Sequence, residues 1–196
     1  IQSRFHAKPE SMVTIKAQSS PKNAVRYFSE HLSHGDYYSN QTHVPGIWFG
    51  EGCFNVGLMP DSKVSKDEFA ALCDGVTPGE GKRLTQSKKA NRRCLYDLTV
   101  SAPKSVSIMA LLGGDSRLLD AHEKAVKATL NEAERMAATR VRKGNAVDTN
   151  SSRTTGNIIA ARFTHQESRA LDPQVHSHCV VFNVTLDQQE QRFKAL

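Results

Sequence analysis

The chain carries the sequence HQESRALDPQVHSH at residues 165–178, which places three histidines within fourteen residues. The segment that follows, CVVFNVT at residues 179–185, is rich in β-branched and aromatic side chains and predicts a strand. Alternate side chains of a strand share one face of the sheet. We therefore expect His176 and His178 to project in the same direction.

A hairpin-like return is expected within this stretch. Residues 155–164 predict a second strand, and the polar connection with Asp172-Pro173 favours a turn between the two strands. Such a turn brings His165 beside the other two histidines. Three imidazoles that converge from one side form half of a coordination sphere and leave the other half open for substrate, so we predict a metal site. The alternative, partly buried histidines that hold a sheet edge, stays open.

Composition restricts the class of protein. The 196 residues suggest one domain, or one domain with an appendage, and residues 1–11 ahead of Met12 predict an N-terminal extension. A formal net charge of +6 favours an anionic partner, with nucleic acid the first candidate. The four cysteines form no CxxC pair, which predicts reduced thiols in a cytoplasmic protein. No apolar run approaches membrane-spanning length, so no membrane insertion is expected.

Strands and long helices alternate along the chain. Residues 12–17 predict a strand, Ser19-Ser20-Pro21 predicts the start of a helix, and the capping box from Ser65 to Glu68 predicts another. A further strand is predicted for residues 94–101, and a long helix for residues 116–142. The mixture indicates an α+β domain in which helices cover one face of a largely antiparallel sheet.

A basic run without an intervening acid follows the loop at residues 77–81. Its charge would suit a phosphate backbone, and a solvated loop is the alternative. The members of this run are Lys82, Arg83, Lys88, Lys89, Arg92 and Arg93.

Tyrosines and one carboxylate are the remaining candidate reactive groups. Three of the four tyrosines, Tyr27, Tyr37 and Tyr38, lie within twelve residues. Each is an amphipathic side chain that is also typical of the edge of a core, so a structural role stays open. Asp97 lies in an otherwise apolar predicted strand, where a carboxylate is costly unless it is paired or functional.

Three segments together resemble a known family. They are LTVSAPKSVS at residues 98–107, Thr155-Gly156-Asn157, and the histidine stretch with its Ser168-Arg169 and Asp172-Pro173-Gln174. These segments closely resemble the MobF-type conjugative relaxases, the nicking domains of plasmid-transfer relaxase-helicases. The resemblance implies a two-layer α/β sandwich whose central antiparallel sheet carries the three histidines. It also makes residues 12–196 a relaxase domain, shortened at its C-terminus relative to the family.

The resemblance implies a metal site with one supporting carboxylate. His165, His176 and His178 would hold a divalent cation, with Mg²⁺ or Mn²⁺ as the ion in use. Because Mg²⁺ prefers oxygen ligands, softer ions such as Ni²⁺ or Zn²⁺ are expected to bind an all-histidine site more tightly. Asp97 would orient one of the histidines or help to take the tyrosine proton.

The resemblance also assigns the tyrosines. Tyr27 matches the first tyrosine of the family, the nucleophile, and Tyr37 and Tyr38 match a second pair, the candidate for a second strand transfer. The chain has Phe28 after Tyr27, where many relatives have a second tyrosine, and the gap to Tyr37 is slightly longer. The implied reaction is attack of Tyr27 on a phosphate of single-stranded DNA, which leaves a 3′-hydroxyl and a reversible 5′-phosphotyrosine link.

The implied partners follow from this role. They are single-stranded DNA at an origin of transfer, relaxosome accessory proteins and a type IV coupling protein. The residues expected to follow the DNA backbone are the basic run, Lys104 and Arg169.

Other classes of protein stay open on the sequence. A rolling-circle replication initiator shares the histidines and the tyrosine, but it usually places the tyrosine after the histidines. A cupin-like mononuclear metal enzyme normally adds an acidic ligand at short spacing. A DNA-binding module without catalysis would explain the charge but not the histidines.

Overall fold

Strands and helices alternate through the part of the chain that the structure, a computed structural model, describes: residues 12–32, 34–36, 41–85, 92–142, 150–168 and 170–196. The strands are β1 (Val13–Gln18), β2 (His34–Asp36), β3 (Gln41–His43), β4 (Ile47–Phe49), β5 (Leu95–Ser101), β6 (Ala138–Arg142), β7 (Asn150–Thr154), β8 (Ala160–Glu167), β9 (Pro173–Phe182), β10 (Thr185–Asp187) and β11 (Arg192–Lys194). The α-helices are α1 (Pro21–Tyr27), α2 (Lys66–Asp74), α3 (Lys104–Leu111) and α4 (Ser116–Arg135). A π-helical turn at Phe28–Leu32 follows α1, and a 3₁₀ turn at Glu51–Val56 follows β4.

A five-stranded antiparallel sheet in the order β1-β5-β9-β8-β4 forms the centre of the fold. β8 and β9 are the hairpin that the histidine stretch predicts. In its register His165 lies opposite His176, and His178 lies between Thr99 of β5 and Phe163 of β8. Because opposite residues of antiparallel strands project to the same face, this register places all three histidines on one face of the sheet. The predicted central antiparallel sheet and the α+β class are confirmed.

Helices pack on both faces of this sheet, whereas the sequence analysis placed them on one. On the histidine face, Phe28 and Phe69 from the segments around α1 and α2 pack into the larger core cluster. On the opposite face, Val126 and Leu130 of α4 pack into a second cluster. The reason lies in residues 179–182 of β9, which are apolar at every position, so both faces of this strand need cover.

The predicted helix starts at α1 and α2 are confirmed. The Ser20 hydroxyl accepts a hydrogen bond from the Asn23 amide, with Pro21 as the first helical residue. At α2, the Ser65 hydroxyl and the Glu68 carboxylate each accept a hydrogen bond from the other residue's backbone amide, which forms the expected capping box. None of the helices within the described ranges combines the length and apolar character that a membrane crossing requires.

The predicted long helix, residues 116–142, is wrong in its last turns. α4 ends at Arg135, and residues 138–142 form β6, which pairs with β7. Within β6 the side chains of Thr139 and Val141 are buried while Arg140 is exposed. This alternation has the period of a strand, and it outweighs the helical pattern of the preceding residues.

The strand predicted for residues 155–164 begins later than expected, at Ala160. Asn157 explains the difference, since its side-chain amide donates to the Leu186 carbonyl at 2.9 Å and accepts from the Leu186 amide at 2.8 Å. The side chain thus takes the place of a strand partner for the backbone of β10.

A buried ion cluster fastens the β10–β11 ribbon. The Asp187 side chain is fully buried and accepts hydrogen bonds from Arg153 at 2.7 Å and from Lys194 at 2.9 Å. Burial by itself would raise the pKa of Asp187, but the bonds from Lys194 and Arg153 outweigh it and hold the pKa well below its usual value. We expect Asp187→Asn to lower the free energy of unfolding at pH 7 by about 3 kcal/mol, because Arg153 and Lys194 lose their buried carboxylate partner and keep only Glu190.

The same cluster predicts acid sensitivity. A carboxyl group whose pKa is depressed in the folded state contributes stability above its unfolded pKa of about 3.9, and this contribution is lost as the pH falls through the folded value. The gap in unfolding free energy between wild type and Asp187→Asn should therefore be constant from pH 7 to 5 and shrink below pH 4. Urea denaturation at several pH values measures it, with Asp120→Asn on the exposed side of α4 as control. A gap that stays constant down to pH 2 contradicts the assignment.

Candidate active site

Tyr27, the last residue of α1, lies over the histidine face of the sheet. Its hydroxyl donates to Oδ2 of Asp97 at 2.8 Å. Both carboxylate oxygens of Asp97 lie 3.0 Å from Nδ1 of His178. Asp97 is only 3% exposed, so the carboxylate that the sequence marked as paired or functional joins α1, β5 and β9 in one buried contact.

Hydrogen bonds define which nitrogen two of the histidines present to the cleft. A carboxylate only accepts, so Nδ1 of His178 donates in its bond to Asp97, and Nε2 is the ring nitrogen left for a ligand role. Nδ1 of His176 lies 3.2 Å from the carbonyl oxygen of Gln174, which also only accepts. Both imidazoles therefore offer Nε2 as the ligand atom, with the opposite nitrogen held by an acceptor, as metal-ligating histidines usually require.

The three rings lie close to the spacing expected around one common ion. The ring centroids of His165 and His176 lie 5.3 Å apart, those of His176 and His178 also 5.3 Å, and those of His165 and His178 5.8 Å. A ligating nitrogen lies about 2.1 Å from its ion, which places the centres of two ligating rings at roughly 5 Å from each other. The rings are slightly wider than that, and among the described residues no group of three potential ligands is already drawn together as a formed metal site.

Cys179, directly after His178, does not belong to this group. The alternation of β9 turns its side chain to the opposite face, where it is fully buried in the second core cluster. Burial raises the pKa of the Cys179 thiol to about 12, so it stays protonated at neutral pH and is no ligand. All four cysteines are free and buried.

The three histidines and Tyr27 border an open cleft of about 540 Å³. Lys16 and Glu30 also line this cleft, and neither is predicted from the sequence. Lys16 lies opposite Asp97 in the β1–β5 register, so its side chain shares the histidine face. The alternation of β1 shows which of its side chains share a face, but only the pairing of β1 with β5 shows which face of the sheet they lie on. The sequence therefore offers no signal for Lys16.

The packing of Phe28 explains why the residue after Tyr27 can be a phenylalanine. Its ring is 7% exposed and packs 4.6 Å from Phe69 and 5.7 Å from Phe163, measured between ring centroids. The position is thus part of the core, while Tyr27 one residue earlier faces the cleft.

Those basic residues predicted to contact DNA that the structure describes do not gather in one place. Lys104 lies at the histidine end of β5, is half-exposed, and approaches Asp172 at 3.9 Å. Lys82 and Arg83 are exposed. Arg93 lies beyond the other end of β5, and the guanidinium of Arg92 donates to the Cys73 carbonyl near the end of α2. The remaining predicted residues, Tyr37, Tyr38, Lys88, Lys89 and Arg169, lie outside the described residues.

Comparison with known proteins shows the family of the chain. Residues 21–196 match the family model described as TrwC relaxase. The chain belongs to the TrwC relaxase family. Two curated relatives named multifunctional conjugation protein TraI, from Escherichia coli and from its strain K12, are 43% and 42% identical to it over 160 and 161 residues. Each alignment covers 78% of the chain and 9% of the relative, so the chain spans about a tenth of those proteins.

Solved structures of TrwC extend the agreement to the fold. The metal-bound complex of conjugative relaxase TrwC with oriT DNA has a TM-score of 0.76 and 33% identity, and the copper-bound complex has 0.77 and 33%. Each covers 94% of this chain, which in turn spans 61% of the TrwC chain. A third TrwC structure, with a 27-mer DNA comprising the recognition hairpin and the cleavage site, has a TM-score of 0.75. The resemblance to the MobF-type conjugative relaxases is confirmed, and the replication initiator and cupin-like alternatives are not favoured.

Proposed function

We propose that this TrwC-family chain nicks one DNA strand at a plasmid origin of transfer and keeps the cut end through a tyrosine–phosphate bond. One observation carries the proposal: the Tyr27 hydroxyl, facing an open cleft, is hydrogen-bonded to a buried carboxylate that also fixes His178. TrwC itself has been solved with oriT DNA, and the TraI relatives are conjugation proteins, which supports the same substrate class here.

Tyr27 and Asp97 divide the covalent step between them. A phenol with a pKa near 10 is a poor nucleophile at neutral pH until its proton has an acceptor. Oδ2 of Asp97 already accepts a hydrogen bond from the Tyr27 hydroxyl, with 2.8 Å between the two oxygens. As the bond between the Tyr27 oxygen and phosphorus forms, the proton passes to Asp97, the bond from phosphorus to the 3′ oxygen breaks, and the 3′ oxygen takes a proton from solvent. The product keeps one phosphodiester-type bond, so the step is reversible.

The histidines hold the ion that we propose as cofactor. A divalent cation at His165, His176 and His178 would offset the negative charge of the scissile phosphate. We propose Mg²⁺ or Mn²⁺ as the working ion, with Ni²⁺ or Zn²⁺ able to occupy the same nitrogen donors. Asp97 contributes by holding His178 with Nε2 towards the cleft.

The DNA path and the partners are further parts of the proposal. Lys16 and Lys104, at the histidine end of the sheet, are placed to meet phosphates near the cut. We assign the rest of the backbone contacts to Lys82, Arg83, Lys88, Lys89, Arg92, Arg93 and Arg169. Tyr37 and Tyr38 would serve a second strand transfer. Relaxosome accessory proteins and a type IV coupling protein are the proposed protein partners, in the cytoplasm, where free buried thiols stay reduced.

A supercoiled plasmid that carries the transfer origin of the chain's own conjugative element tests this function. With Mn²⁺, the chain should convert it to an open circle whose 3′ end is extended by a polymerase and whose 5′ end is blocked by protein until proteolysis. The same plasmid without the origin is the control. A nick with a free 5′ phosphate would refute the tyrosine mechanism. DNA binding without any nick would refute the enzymatic assignment.

A further inference from the structure

Three polar side chains form a cluster on the face of the sheet opposite the histidines. Nε2 of His122, on α4, lies 2.9 Å from the hydroxyl of Ser177 on β9. The Ser177 hydroxyl lies 2.9 Å from the hydroxyl of Thr164 on β8. We call His122, Thr164 and Ser177 the rear cluster. None of the three lines the cleft, and the reaction proposed above does not use them.

The rear cluster lies directly behind the proposed metal site. Ser177 stands between His176 and His178, and Thr164 immediately precedes His165. Thr164 and Ser177 are also register partners in the β8–β9 ladder, so their hydroxyls face each other across the two strands that carry every proposed ligand. Any slip or tilt between these strands moves the histidines and the rear cluster together.

The ladder itself becomes irregular next to this point. The β8–β9 register is regular through the pair of His165 and His176, and it shifts between His165 and Glu167. A bulge bends its strand and loosens the pairing beside it. The hydrogen bond between Thr164 and Ser177 therefore fixes the alignment of β8 and β9 close to the bulge. Apolar packing alone would tolerate small shifts of one strand along the other.

His122 connects this tie to a helix. Ser177 is fully buried and His122 is 7% exposed, so both side chains need partners to offset the loss of water. Burial lowers the pKa of His122, with an opposing effect of Glu123, so the ring is neutral at neutral pH and can bond a hydroxyl. Glu123, the next residue, pairs with the Arg162 guanidinium of β8, which fixes this turn of α4 against the sheet.

We propose that the rear cluster is a positioning device: it sets the alignment of β8 and β9 so that the three imidazoles converge on one ion. The inference rests on the metal site proposed above and goes beyond it, because it assigns metal affinity to residues that cannot touch the ion. The cluster acts through the strands and does not itself bind substrate or cation. Its removal should loosen the site more than it loosens the fold.

Thr164→Val tests this, because valine keeps the shape of threonine and removes the hydroxyl. Titration calorimetry with Mn²⁺ alone should show an affinity about 10-fold weaker than wild type, the lower end of what supporting residues around metal ligands contribute. Thr164→Ser keeps the hydroxyl and should bind within about 3-fold of wild type. The matched control is Thr139→Val, which also removes a threonine hydroxyl. Thr139 is buried in β6, a strand of the separate β6–β7 sheet, and its hydroxyl donates to the Ala195 carbonyl.

Each result supports or overturns the inference. Weaker Mn²⁺ binding by Thr164→Val alone, with thermal stability of the metal-free protein similar to that of Thr139→Val, supports it. If Thr164→Val and Thr139→Val lose the same Mn²⁺ affinity, the effect comes from a general loss of stability and the inference is overturned. If Thr164→Val and Thr164→Ser lose the same Mn²⁺ affinity, the effect comes from changed packing and not from the hydroxyl, which also overturns the inference. A Thr164→Val chain that does not fold would also overturn it, since the hydroxyl would then serve the sheet. Wild type that binds no Mn²⁺ would instead refute the metal site.

Discussion

Tyr27→Phe is expected to abolish the covalent protein–DNA adduct and to lower the rate of strand cleavage by about 10⁴-fold or more, as loss of a nucleophile does in other enzymes. The substitution removes the hydroxyl, and with it the hydrogen bond to Asp97 and the longer contact with Nδ1 of His178 at 3.4 Å, while the ring keeps its contacts with the core. The variant should therefore fold and still bind DNA. End-labelled single-stranded DNA with the transfer-origin sequence, incubated with Mn²⁺ and run on a denaturing gel, measures the adduct directly.

Tyr96→Phe is the matched control for this experiment. Tyr96 lies next to Asp97 in β5 but projects to the opposite face of the sheet, so its hydroxyl is remote from the cleft. It should form the adduct at the wild-type rate. An adduct that persists in Tyr27→Phe would move the nucleophile to Tyr37 or Tyr38 and leave Tyr27 a structural role. Loss of DNA binding together with the adduct would mean that the substitution disturbs the site more widely than the structure implies.

The histidine hairpin and the buried carboxylate were accessible from the sequence because their signals are local. Period-two alternation places His176 and His178 on one face, and the turn at Asp172-Pro173 returns His165 to them. Asp97 stood out because a charge in an apolar strand needs a partner. The partners, Tyr27 and His178, are 70 and 81 residues away in the chain, and here the family resemblance supplied what the pattern alone could not.

Features that depend on how distant elements meet were not accessible. Lys16 joins the cleft only because β1 pairs with β5 in a register that sets it opposite Asp97. From the sequence alone, His122 is one more polar residue of an amphipathic helix. Its role depends on the packing of α4 over Ser177, which the sequence does not predict. The predicted end of the long helix is wrong for a related reason. Residues 138–142 form β6 and not further turns of α4, because β6 is stabilised by pairing with β7. Local propensity decides such segments only when no tertiary partner competes.

Asp97→Asn is expected to lower the cleavage rate by roughly 10³- to 10⁴-fold, the size of effect found where an aspartate that orients a catalytic histidine becomes asparagine. Asparagine has the shape of aspartate, but only one of its two terminal atoms accepts a hydrogen bond. The Tyr27 hydroxyl and Nδ1 of His178 both depend on the carboxylate, so one of them loses its acceptor. The neutral amide also takes no proton from Tyr27. Single-turnover cleavage rates and Mn²⁺ calorimetry measure the two consequences separately.

The dependence on metal concentration separates the two roles of Asp97. If Asp97 only orients His178, the variant should bind Mn²⁺ about 10- to 100-fold more weakly, and saturating Mn²⁺ should restore the cleavage rate. Because the Tyr27 hydroxyl donates to Oδ2, we expect Asp97 also to take the tyrosine proton. Saturating Mn²⁺ should therefore restore little of the cleavage rate. Asp172→Asn, which breaks only the exposed contact with Lys104, is the control and should stay within about 3-fold of wild type. A wild-type rate in Asp97→Asn would remove both roles and leave the buried carboxylate a purely structural link between α1 and the sheet.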